Sequence, residues 1–178
     1  CVTLPILGEK VTVITFRGSK GKRDWLRDLW LQPCAYRGND LRQVHAMAMA
    51  SWESVASKVR KYVVAEKPDR ILITGHSLGG ELCTPYADDL YIALGKMSTR
   101  ITFGALPFGR RSFVDYIREY PKLPHLRFVI GLDIANFNLI HNVIFGYRHD
   151  TEATKLTPWY DLRRVSCHGI EHYITELE

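Results

Sequence analysis

The stretch RILITGHSLGGELC, residues 70–83, constrains the fold more than any other. RILIT is a short apolar, β-branched run of the kind that forms a strand buried on both faces, as in a parallel sheet. It enters Gly75-His76-Ser77-Leu78-Gly79 and leaves in residues that read helical to about Leu94. A serine held on so sharp a strand-to-helix turn has strained backbone angles. Side chains two positions either way would collide, which explains glycine at 75 and 79. The turn lifts the Ser77 hydroxyl above the sheet edge and aims the Leu78 backbone N–H, together with the positive end of the helix, at one point in space. The plainer alternative is a glycine-closed turn in which Ser77 caps the helix.

The rest of the chain supplies the sheet that such a turn needs. Val11–Phe16 reads as a strand, hairpin-paired with Val2–Leu7 across Gly8-Glu9. Asp24 can cap a short helix carrying Trp25, Leu29 and Trp30, stopped by Pro33 and followed by a loop through Asn39. The spacing of Val44, Met47, Ala48, Val55, Val59, Tyr62 and Val63 predicts a helix from Gln43 to about Glu66, closed by Pro68. RITFG (100–104) and LRFVIG (126–131) repeat the strand pattern, with a helix over Phe113–Tyr120 between them. Residues 146–160 suggest a strand pair, and HGIEHYITELE a terminal helix. Alternating apolar strands and helices predict an α/β fold over 1–178 as one domain, a mostly parallel sheet with helices on both faces. Function in such sheets sits at the carboxyl ends of the strands.

Composition is that of an ordinary globular protein, with 46% hydrophobic and 24% charged residues and no repeat. No apolar run is long enough for a membrane span, and CVTLPILGEK lacks the layout of a secretory leader. Compartment and oligomeric state are left open. A formal charge of +5 favours anionic surfaces, but no nucleic-acid recognition motif accompanies it. The four cysteines, Cys1, Cys34, Cys83 and Cys167, show no C-x-x-C spacing and read as buried thiols.

A serine is a weak nucleophile unless a histidine takes its proton and a carboxylate orients that histidine. In strand–turn–helix hydrolases the order along the chain is Ser, acid, His. Asp133, just past LRFVIG, stands at a strand's carboxyl end; Asp115, Asp150 and Asp161 are poorer placed. Among the downstream histidines, His168 near the terminus has a small edge over His172 and His149.

Several stretches together resemble the class 3 lipase family of serine hydrolases. They are ITFRGSKGKRDWLRDL, Val44-His45, ITGHSLGG, TFGALPFG, RFVIGLDIAN and CHGIEHY, in that order from about residue 11 to the end. The resemblance implies an α/β-hydrolase fold and cleavage of lipid carboxylic esters, acylglycerols or phospholipids. It implies Ser77 as nucleophile, Asp133 as acid and His168 as base, with Ser19 and Leu78 in the oxyanion hole. Trp25 and His76 are candidates for the acyl site or lid side, and neither metal nor organic cofactor is implied. The lid is minimal and charged, Lys20-Gly21-Lys22-Arg23-Asp24, so interfacial activation should be weak, with an anionic lipid surface as the expected partner. The chain is shorter than most members, so an amino-terminal helix is expected to be missing. Glu81 and Pro85 stand where small residues usually follow the paired glycines, and Pro85 should kink the helix.

Three other readings compete. A small carboxylesterase would use the same triad. His168-Gly169-Ile170-Glu171-His172 also spells H-x-x-E-H, the inverted zinc-peptidase motif, but only Glu176 and Glu178 remain as a third ligand, and Glu171 and His172 are expected to face solvent. A hydrolase scaffold kept for binding alone is the third reading.

Overall fold

The computed structural model describes residues 1–18, 32–119, 123–130, 133, 144–156 and 170–177. Strands β1 (Val2–Ile6) and β2 (Glu9–Phe16) form the expected antiparallel hairpin, in register from Val2↔Val13 to Ile6↔Glu9. Its two-residue turn places Leu7 and Gly8 at φ 50° and 82°, the left-handed pair whose twist matches that of the flanking strands.

The hairpin is one edge of a six-stranded sheet. Further strands are β3 (Pro33–Tyr36), β4 (Asn39–His45), β5 (Arg70–His76), β6 (Thr99–Phe103), β7 (Gly109–Arg110), β8 (His125–Val129), β9 (Tyr147–Arg148) and β10 (Ala153–Lys155). The main sheet runs β1-β2-β5-β6-β8-β10, and every pair after the first is parallel. Its crossovers contain the helices α1 (Ala46–Glu66), α2 (Leu78–Glu81), α3 (Cys83–Leu94) and α4 (Arg111–Glu119), and α5 (Ile170–Thr175) lies near the end of the chain. Within β5, Ile71, Ile73 and Gly75 are buried while Leu72, Thr74 and His76 keep partial exposure, so the strand alternates instead of being sealed on both faces.

Residues 33–45 depart from the expected loop and helix start. Arg37 and Gly38, at φ 52° and 73°, turn β3 back onto β4 as a second hairpin, and Pro33 opens a strand. Gln43–His45 therefore belongs to β4, and α1 begins only at Ala46. Two tertiary bonds set that boundary: His45 N–H donates to Phe108 O at 2.9 Å and Ala46 N–H to Gln32 O at 2.9 Å. The buried stripe of α1 is Ala48, Met49, Trp52, Ala56, Val59 and Val63, which leaves Met47, Val55 and Tyr62 on its half-buried shoulders. The helix ends at Lys67, left-handed at φ 49°, because Pro68 cannot continue it.

β3, β4, β7 and β9 form a second, antiparallel sheet that the sequence pattern did not reveal. The expected pairing within 146–160 is absent: β9 joins this second sheet, whereas β10 pairs in parallel with β8. The helix after the glycines breaks at Leu82, four-residue α2 giving way to α3. Pro85 accounts for the break, since its ring clashes with the carbonyl four residues back, that of Glu81. Cys83 is buried, but Cys1 is exposed and Cys34 half-buried, so burial does not hold for all the thiols; Cys167 lies outside the described residues. Among the described residues no helix is long and apolar enough to cross a membrane.

A buried polar knot ties the amino-terminal edge of the sheet together. Arg100 donates to Asp150 Oδ2 at 2.6 Å, to Thr84 at 2.8 Å and to Leu123 O at 2.7 Å. Asp150 Oδ1 lies 2.9 Å from His125 Nδ1, and His125 Nε2 lies 2.9 Å from the Thr102 hydroxyl. Burial, which disfavours imidazolium, pulls His125 below its ordinary 6.5 against the opposing pull of Asp150. Asp150 is held far below its ordinary 3.8: Arg100 and His125 together overcome the burial that opposes them. A group whose folded pKa is depressed loses its stabilising effect as pH falls. Stability to urea is therefore expected to decrease as pH falls through about 6.5, where the unfolded histidine takes up a proton, and again below about 3.8. Asp150→Asn should lower stability by about 3–5 kcal/mol at neutral pH, by stranding the buried Arg100 charge, and should flatten the lower acid limb.

Candidate functional site

Ser77 stands between β5 and α2 at φ 57°, ψ −128°, a conformation that costs a non-glycine residue about 1–3 kcal/mol. Its hydroxyl does not cap α2, so the plain capping role is not what the residue performs. The backbone is pinned from the neighbouring strand, Ser77 N–H donating to Phe103 O at 3.0 Å. A Cβ at Gly75 would strike the Gly79 carbonyl, and one at Gly79 would strike the carbonyl of Phe16, so α2 lies directly against the end of β2. A Cβ at Gly18 would come within 2.9 Å of His76 O and 3.4 Å of Ser77 Cβ. The chain leaving β2 thus passes over the serine turn. Leu78, first residue of α2, directs its N–H to the same side as the helix start.

Asp133 is fully buried, its N–H bonded to Ile130 O at 3.0 Å. It lies past the carboxyl end of β8, on the edge where Ser77 follows β5. The Tyr173 hydroxyl, carried by α5, donates to Asp133 Oδ2 and accepts the Ile130 N–H at 3.3 Å. Burial and the adjacent Asp133 charge push the Tyr173 phenol far above its ordinary range, so it keeps its proton and donates to the carboxylate. Gly104, at φ 50°, makes room: a Cβ there would sit 2.5 Å from Asp133 Oδ2 and 2.7 Å from Tyr173 Oη. Tyr173 is not among the residues that the sequence pattern singles out; it appears there only as the last residue of CHGIEHY.

His76 packs edge-on against Tyr173 with ring centroids 5.7 Å apart, next to the buried acid. His168, Ser19 and Trp25 lie outside the described residues, as do the charged segment 20–24 and Asp161. Asp150 and His125 are brought together with Thr102 in the order hydroxyl, imidazole, carboxylate, but at the opposite edge of the sheet. Thr102 is 0% exposed there and can reach no substrate. Asp115 is on the outer face of α4, ion-paired with Arg111. Glu171 is exposed on α5 and His172 is half-buried. Glu81, unexpected after the glycines, is buried and meets the equally buried His45 at 2.8 Å, which joins α2 to the β4–α1 junction.

A family model described as Lipase (class 3) matches residues 13–137. A lipase of Rhizomucor miehei is 29% identical over 157 residues, which is 84% of this chain and 42% of the relative. A secreted mono- and diacylglycerol lipase of Fusarium solani is 28% identical over 147 residues, covering 79% and 42%. The solved structure of Rhizomucor miehei triacylglyceride lipase superposes with a TM-score of 0.71 at 25% identity, over 87% of this chain and 65% of that one. The chain thus spans about two fifths of the length of both relatives.

Tyr173→Phe leaves the buried Asp133 carboxylate without one donor while keeping the ring. It should destabilise the protein by about 1–3 kcal/mol, read as a lowered urea midpoint with an unchanged slope.

Proposed function

The chain belongs to the class 3 lipase family, and on that footing we propose that it hydrolyses lipid carboxylic esters through Ser77, His168 and Asp133. The observation that carries the reading is the strained backbone of Ser77 at the mouth of α2, with a buried carboxylate on the same sheet edge. In this mechanism His168 takes the Ser77 proton as the hydroxyl oxygen attacks the ester carbonyl. Asp133, steadied by Tyr173, stabilises the imidazolium. The negative oxygen is received by the Leu78 N–H, at the positive end of α2, and by Ser19, the residue after Gly18. His168 then returns the proton to the leaving alcohol and activates the water that frees the acid.

The substrate class proposed is acylglycerols or glycerophospholipids, in keeping with the Fusarium relative, described as a mono- and diacylglycerol lipase. A lid as short and charged as the sequence Lys20-Gly21-Lys22-Arg23-Asp24 would bury little apolar surface on closing. Rates should therefore rise smoothly with substrate instead of jumping when an interface forms. His168 heads an H-x-x-E-H run, but the proposed chemistry needs no metal, and a chelator should leave the rate unchanged.

Ser77→Ala should lower turnover of a short-chain nitrophenyl ester and of a monoacylglycerol by about 10³-fold or more, with the fold intact by circular dichroism. Full activity in Ser77→Ala, or loss of activity to a chelator alone, would overturn the assignment.

A further inference from the structure

A groove of about 600 Å³ lies between α4 and β9, lined by Arg111, Asp115, Arg118, Tyr147, Arg148 and His149. Arginine outnumbers carboxylate in its lining by three to one among the described residues. Arg37, Arg60, Arg70 and Arg100 each meet a carboxylate. Arg118 instead donates to the backbone carbonyls of Asp150 at 2.8 Å and His149 at 3.3 Å, which orients the guanidinium without neutralising it. Arg148 has no carboxylate partner among the described residues. Among the described residues Asp115 is the one acidic side chain lining the groove, and it reaches Arg111 at 3.6 Å. Three guanidinium groups therefore line the groove against a single carboxylate.

We propose that this groove binds a phosphate ester. Guanidinium forks from two elements can share the oxygens of one tetrahedral anion, which a single carboxylate would engage only in part. A bare phosphate would leave most of the volume unused, so the groove has room for an attached alcohol moiety. The site is separate from the serine centre. Arg118, which lines it, is bonded to the carbonyl of Asp150, whose side chain meets Arg100 near the amino-terminal end of β6. The same chemistry is offered by a soluble phosphate ester and by the headgroup of an anionic lipid.

The test is calorimetric titration of the whole chain with glycerol 3-phosphate, alongside co-sedimentation with phosphatidylcholine vesicles with and without phosphatidylglycerol. The wild type should bind glycerol 3-phosphate saturably, more tightly than it binds chloride, and less well as salt rises. Arg118→Gln with Arg148→Gln should weaken this about tenfold or more, whereas Arg70→Gln, an exposed arginine on β5, should not. Vesicle binding that needs phosphatidylglycerol and is lost in the double variant identifies a lipid headgroup as the source. Binding of glycerol 3-phosphate alone identifies a soluble ester. Equal binding by the double variant and the wild type, or no preference for glycerol 3-phosphate over chloride, would overturn the proposal. So would failure to bind either probe. None of these readouts uses ester hydrolysis, so the result is independent of the role assigned to Ser77.

Discussion

The close approach of α2 to the end of β2 is the contact on which the carboxyl edge of the molecule depends. Gly79 comes against the Phe16 carbonyl with no room for a side chain, and Gly18 comes close to the His76 carbonyl, less tightly. Any side chain at Gly79 would push the helix away from the strand. The strained backbone of Ser77 is held by this packing and by its bond to Phe103. Local strain of this kind persists only where the surroundings fix it.

Polar groups are buried on both edges of the sheet, to different ends. At the amino-terminal edge, Arg100, Asp150, His125 and Thr102 are bonded in a chain that closes the strands together. At the carboxyl edge, Asp133 receives the Tyr173 hydroxyl on one oxygen, with Gly104 keeping the space clear. The His45–Glu81 pair adds a third anchor, fastening the short helix behind Ser77 to the second sheet. Ser77 thus stands directly after β5, pinned to Phe103, while Asp133 lies past the end of β8 and is held by Ile130 and Tyr173.

The parallel strands were legible because burial forces them into short apolar runs, and the serine turn because its geometry admits so few residue types at 75 and 79. The second sheet was not. Its strands are short and mixed in polarity, and Val44, Met47 and Ala48 mimic a helical repeat across a strand–helix junction that tertiary bonds from His45 and Ala46 decide. Pro85 signalled a disturbed helix, but the break falls at Leu82, directly after the Glu81 carbonyl that the proline ring displaces. The partners of Asp133 and Glu81 depend on α5 and β4 arriving from distant parts of the chain, and no local pattern encodes that. The position of Asp133 after β8 was readable; the Tyr173 hydroxyl that bonds to it was not.

The most direct measurement of the central claim is covalent. Incubation with a serine-directed alkyl phosphonate, followed by peptide mass spectrometry, should show one phosphonyl group per chain on the peptide containing Ser77, formed at a rate that collapses in His168→Ala. Labelling at another residue, or labelling of Ser77 that is indifferent to His168, would contradict the account.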